Sequence, residues 1–258
     1  MGRVGVFVHP ISLVRLVRLV RLGLLAFALA GAGASALAAG TADAGPEADV
    51  AALQAHDAAR RHWQAELAAF DAADRSAMPQ PGGIVFVGSS TIRFWSRLAQ
   101  DFPEQPVIVN RGFGGSTMAE GAALADDLAV RYRPRLVVVY AGDNDLAEGR
   151  SPLQVLESFA RFANTVRAAL PGTRIAFVSV KPSPSRENLL PQIRETNHMV
   201  EAYLKRLPNS DYIDVYTPML SADGRTRPEL FRADMLHMND DGYRLWRSLI
   251  GPHLAAPG

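Results

Sequence analysis

The 258-residue chain is 48% apolar, carries 27 basic against 26 acidic side chains and contains no cysteine. That length and composition suit a sizeable globular domain with its own core, and the missing thiols exclude disulfides, thiolate metal sites and a lipidated cysteine anchor. Four of the arginines (Arg3, Arg15, Arg18, Arg21) and no acid fall in residues 1–38, so the remainder has 23 basic against 26 acidic side chains, a net charge of −3, which excludes a basic nucleic-acid footprint.

The first segment, 1–38, places its arginines before a mostly apolar run that ends in "SALAAG", where Ala36 and Ala38 supply a small-x-small pattern. It reads as a secretory signal cleaved near Ala38, giving a periplasmic or secreted protein with no stable membrane insertion afterwards. An uncleaved anchor is the alternative, since the run approaches spanning length. Residues 39–83 read as a linker and an N-terminal helix. The helical period covers 48–73, with Leu53, Trp63, Leu67 and Phe70 on its apolar side, and "MPQPGG" at 78–83 breaks it.

The domain proper, 84–258, alternates two kinds of segment. Short β-branched or apolar runs occur at 84–87, 107–109, 136–140, 175–180 and 212–215, and helical periods at 118–131, 153–170, 192–206 and 242–254. Near-continuous apolar strands separated by amphipathic helices predict a parallel sheet covered on both faces. The expected fold is α/β: a three-layer α/β/α domain around a five-stranded sheet of flavodoxin-like order. Such sheets bind ligands beyond the carboxyl ends of their strands.

The chemistry-bearing residues follow strands in this way. The first strand runs into "GSST", the second into "NRGFGGST", the third into "AGDND", and "DMLHMNDDGY" stands between the fifth strand and the last helix. Together they offer a hydroxyl, a tight glycine turn, a side-chain amide and an Asp-x-x-His pair. Acyl transfer needs those parts. A serine hydroxyl needs a base within hydrogen-bond reach, imidazole can accept and return its proton, and a carboxylate fixes the imidazole tautomer. Donors must then face the oxyanion, which an unobstructed glycine N–H or an Asn amide can do.

With these four blocks in order, the chain resembles the SGNH, or GDSL-type, esterases and acylhydrolases, and within them the branch similar to platelet-activating-factor acetylhydrolase subunits. The resemblance implies the SGNH hydrolase fold and a serine esterase acting on a small-molecule, glycan or lipid ester without a cofactor. It implies Ser90 as nucleophile, His237 as base and Asp234 as its partner, with an oxyanion hole from the Ser90 N–H, Gly115 and Asn144. One position departs from the pattern: the family's usual Asp before the nucleophile is Ser89. Register favours Ser90 as the reacting hydroxyl, which leaves Ser89 or Thr91 as the helix-capping one. An acyltransferase or deacetylase working on exported glycans shares the same acyl-enzyme chemistry, and a non-catalytic glycan- or lipid-binding relative is the reading from another class.

The remaining features take plainer readings. Asp143, Asp145 and Asp234 lack the spacing of an oxygen-rich calcium loop, so no metal site is expected. His56, His62, His198 and His253 read as surface residues without ligand-like partners; Phe94, Trp95 and Phe113 read either as the lining of an acyl or leaving-group pocket or, as is commoner so near a strand end, as core. "KPSPSRENLLP", 181–191, reads either as a substrate wall or as an exposed proline-rich connection.

Overall fold

The computed structural model describes residues 46–255, so the predicted leader lies outside the described residues. Five parallel strands, β1 (Ile84–Gly88), β2 (Ile108–Gly112), β3 (Leu136–Tyr140), β4 (Arg174–Val178) and β5 (Ser210–Ile213), form one sheet in the order β2-β1-β3-β4-β5. This is the flavodoxin-like order expected. The crossover reverses at β1, which opens a crevice at the carboxyl ends of β1 and β3.

Alternation along each strand sends neighbouring side chains to opposite faces. Val85, Val87, Val137, Val139 and Phe177 enter one core, and Ile84, Phe86, Leu136, Val138 and Tyr140 the other. The helices, in chain order, are α1 (Pro46–His62), α2 (Gln64–Ser76), α3 (Ser90–Arg93), α4 (Leu98–Asp101), α5 (Met118–Ala123), α6 (Ala125–Leu128), α7 (Asp143–Ala147), α8 (Pro152–Ala169), α9 (Leu190–Leu204) and α10 (Asp240–Ile250). The first core takes Val155, Phe159, Phe162 and Val166 from α8, spaced as one helical stripe. It also takes Ile193 and Val200 from α9. The second takes Trp95 and Leu98 together with Tyr243, Trp246 and Ile250 of α10.

The predicted helix 48–73 is two helices, broken at Trp63, whose backbone leaves the helical region (φ −101°, ψ 25°). The Trp63 ring is buried edge-on against Phe113, 5.0 Å between centroids, and that packing fixes the kink. Ala59, Trp63 and Leu67 therefore belong to the first core. Residues 118–131 similarly divide into α5, α6 and a 3-10 turn at Val130–Tyr132. Strand β2 runs further than its apolar residues suggest, because its polar members find partners. Arg111 donates to Tyr132 Oη (2.7 Å) and to Asp74 of α2, Tyr132 Oη donates to Asp74 Oδ2 (2.6 Å), and Phe70 and Tyr132 stack on the guanidinium. A buried charge satisfied in this way is tolerated within a strand.

Candidate active site

Strand register brings the first three loops to one rim. Gly88 pairs in register with Gly112 on one side and Tyr140 on the other. A side chain at Gly88 would begin 2.2 Å from the Tyr140 carbonyl oxygen, so only glycine permits this spacing. The chain then turns directly into α3, with Ser89 at its N-cap position and Ser90 as its first residue.

The structure brings Ser90, His237 and Asp234 together across 147 residues of sequence: His237 Nε2 lies 3.0 Å from Ser90 Oγ, and His237 Nδ1 lies 2.7 Å from Asp234 Oδ2. The carboxylate can only accept, so Nδ1 carries the proton and Nε2 is left to accept from the serine. The Asp-x-x-His spacing works through a local turn. Asp234 Oδ1 accepts the N–H groups of Leu236 (3.0 Å) and His237 (2.9 Å), which aims Oδ2 at the ring. The imidazole hydrogen bond, with these backbone donors, holds the Asp234 carboxyl far below the usual carboxylate range against the opposing effect of burial. Asn239 caps α10 immediately afterwards by accepting from the Asp241 and Gly242 N–H groups.

Gly115 adopts φ +83° at an open position where a Cβ would meet nothing within 4 Å. Neither its N–H nor that of Ser90 donates a hydrogen bond among the described residues. Asn144 is the second residue of α7. Its Nδ2 donates one hydrogen to the Ser116 carbonyl (3.0 Å), joining the third loop to the second, and its other hydrogen is free. Asp145 strengthens the same join by accepting the Met118 N–H (2.7 Å) at the start of α5, and its burial pushes its own carboxyl up.

Several neighbours escaped the sequence reading. Arg186 donates to Asn144 Oδ1 (2.9 Å) and, with the fully buried Lys181, flanks Asp143: Nη1 of Arg186 is 3.1 Å and Nζ of Lys181 3.2 Å from Asp143 Oδ2. Burial pushes the Asp143 carboxyl up, but the two cations outweigh it and hold the group below its ordinary value. The segment 181–191 is not simply an exposed connection, since Lys181 is buried and Arg186 reaches the third loop. Its position beyond the carboxyl end of β4 was the available signal. The Ser185 N–H also donates to the Met235 carbonyl (3.0 Å), inside the turn that carries Asp234 and His237.

Three further readings change. Trp95 and Phe113 are core, as read, but Phe94 is exposed and packs edge-on against the His237 ring at 4.9 Å; its place four residues after Ser90, on the same helical face, was the clue. Ser89 occupies the N-cap position, yet its buried Oγ makes no hydrogen bond. Three of the four histidines read as surface residues do have carboxylate neighbours, supplied by distant segments: His56 by Asp127 (3.2 Å), His62 by Glu120 (3.0 Å) and His253 by Asp211 (3.5 Å).

Residues 80–245 match the model of the GDSL-like lipase/acylhydrolase family. The chain belongs to that family. The GDSL-type acylhydrolases are ester-cleaving enzymes, and the domain carries their fold. Esterase TesA of Pseudomonas aeruginosa is 31% identical over 78 residues, 30% of this chain and 38% of that protein, so the chain spans well under half the length of this curated relative. A GDSL-like lipase from Bacteroides thetaiotaomicron is 25% identical with a TM-score of 0.62, covering 71% of this chain and 94% of that one. An acylhydrolase from Bacteroides fragilis has the same TM-score at 21% identity, covering 70% and 92%. A Streptococcus pneumoniae protein described as a platelet activating factor reaches a TM-score of 0.67 at 18% identity, covering 80% and 99%, and shares the fold.

Proposed function

We propose that this GDSL-type protein is a serine esterase that removes a small acyl group through Ser90, His237 and Asp234. The observation that carries the reading is the unbroken relay from Ser90 Oγ through the His237 ring to Asp234, at 3.0 and 2.7 Å. Ser90 Oγ attacks the ester carbonyl while its proton passes to His237 Nε2. The negative charge that develops on the carbonyl oxygen is met by the free N–H groups of Ser90 and Gly115 and by the spare Asn144 amide hydrogen, each such donor contributing about 3–4 kcal/mol to the transition state. His237 then returns its proton to the departing alcohol as the carbon–oxygen bond breaks. A water molecule repeats the cycle on the acyl-enzyme and releases the acid.

The composition of residues 1–38, arginines before an apolar run that ends in SALAAG, fits an enzyme that works after export.

Hydrolysis of 4-nitrophenyl acetate tests the assignment. Ser90→Ala lowers kcat by on the order of 10⁴ or more and abolishes labelling by a fluorophosphonate, while Ser89→Ala keeps most of both. Because it removes a buried hydroxyl with no partner, Ser89→Ala also gains about 1 kcal/mol of stability. Equal loss from the two variants would contradict the choice of Ser90.

A further inference from the structure

A cavity of about 260 Å³ begins where the site ends. Phe94 forms one wall, with its ring edge-on to the His237 imidazole. Arg232 lies over that ring, Cζ 5.2 Å from the centroid, and the space continues between the α3–α4 connection and α10. Four arginines line it: Arg97, Arg232, Arg244 and Arg247. The facing acids are Asp101 and Asp240. Asp101 is occupied by the Trp95 indole N–H at 2.7 Å, and Arg97 approaches it only to 3.9 Å. Arg244 is tied to Asp241. Arg232 and Arg247 have no carboxylate within ion-pair distance among the described residues.

This concentration of positive charge contrasts with the net −3 of residues 39–258. Its position defines what it can contact. In the mechanism proposed above, on which this inference rests, the departing alcohol must place its oxygen at His237 Nε2 to receive the proton. Phe94 belongs both to the cavity wall and to the contact with the His237 ring, so an alcohol that runs from Nε2 along Phe94 reaches the arginines.

We propose that the cavity is a subsite for an anionic group, carboxylate or phosphate, on the alcohol portion of the ester. Guanidinium groups suit either oxyanion because their N–H donors form a planar fork. Phe94 gives the intervening part of the alcohol an apolar surface. The natural substrate is then an acyl ester of an acidic alcohol, and a remote charge contributes binding energy that the reacting centre does not itself supply.

The test uses the full-length protein and two acetate esters matched in size, those of 3-(4-hydroxyphenyl)propionate and of its primary amide. Wild type favours the carboxylate by about five- to tenfold in kcat/KM, as two partly exposed charge contacts allow. The preference shrinks as salt is raised. Arg247→Gln reduces the ratio and Arg247→Glu reverses it. The acetate ester of 4-hydroxybenzyl phosphate shows whether phosphate is preferred over carboxylate. A wild-type ratio near one, or a ratio unchanged in Arg247→Glu, overturns the subsite. If neither ester is cleaved and no fluorophosphonate adduct forms, the esterase reading fails separately. Calorimetry with inorganic phosphate then decides the subsite alone: saturable binding lost in Arg247→Glu sustains it, and absence of binding removes it.

Discussion

Asp143→Asn is the substitution whose cost the structure defines most directly. Lys181 and Asp143 are nearly inaccessible, with side-chain exposures of 1% and 5%, and Arg186 approaches the same carboxylate oxygen. At 3.2 Å, and with an effective dielectric constant of about 20, the Lys181 attraction alone is about 5 kcal/mol before desolvation is subtracted. Forming such a pair has little net value, but breaking one leaves a buried charge uncompensated and costs about 3–5 kcal/mol. Here two cations lose the carboxylate they share, which puts Asp143→Asn at the upper end. For a domain of this size each kcal/mol lowers Tm by about 2–4 °C, so the melt should fall by roughly 10 °C or more. Lys181→Met costs less, because Arg186 still neutralises Asp143. The carboxyl is held below its ordinary value of 3.8, so its contribution is complete at neutral pH and vanishes as pH falls through the depressed value. Wild type and Asp143→Asn therefore converge in strong acid. Calorimetric melts across pH measure all of this. A Tm loss under 2 °C at pH 7, or a larger loss in Lys181→Met, would refute the reasoning.

Two other outcomes are expected. Arg186→Met frees the Asn144 carbonyl and lets the amide turn, lowering kcat by about tenfold with KM changed less than about twofold, a fraction of the value of a full oxyanion donor; Arg186→Lys restores part of kcat in the same steady-state assay. Burial, aided by the hydrogen bond to Asp74, pushes the Tyr132 phenol up to about 12. Its contribution is intact below pH 10 and is lost as pH rises toward 12, so Tyr132→Phe removes about 2–3 kcal/mol of the alkaline decline measured by urea unfolding.

Sheet order and the convergence of Ser90, Asp234 and His237 beyond the strand ends were legible from local signals: apolar runs of strand length, and polar residues immediately after them. The limits of β2 were not, since Arg111 becomes acceptable in a strand only through Asp74 and Tyr132, contributed by other segments. The kink at Trp63 escaped notice for a similar reason, its cause being a ring from the second loop. Ser90, Gly115, Asn144, Asp234 and His237 were each nominated by motif, whereas Arg186 and Lys181 carry no motif. Their significance lies in three contacts with Asp143 and Asn144 that no spacing rule anticipates. Ser89 shows the converse: the position matched its N-cap expectation, but the hydrogen bond that would give it meaning is missing.

The Ser185–Met235 backbone link has a consequence for anyone combining substitutions. It fastens the segment whose Arg186 holds the Asn144 side chain to the turn that carries Asp234 and His237, so neither half relaxes alone. Pairs of changes drawn from the two halves should show epistasis, departing from the product of their separate effects by more than pairs placed at unlinked loops.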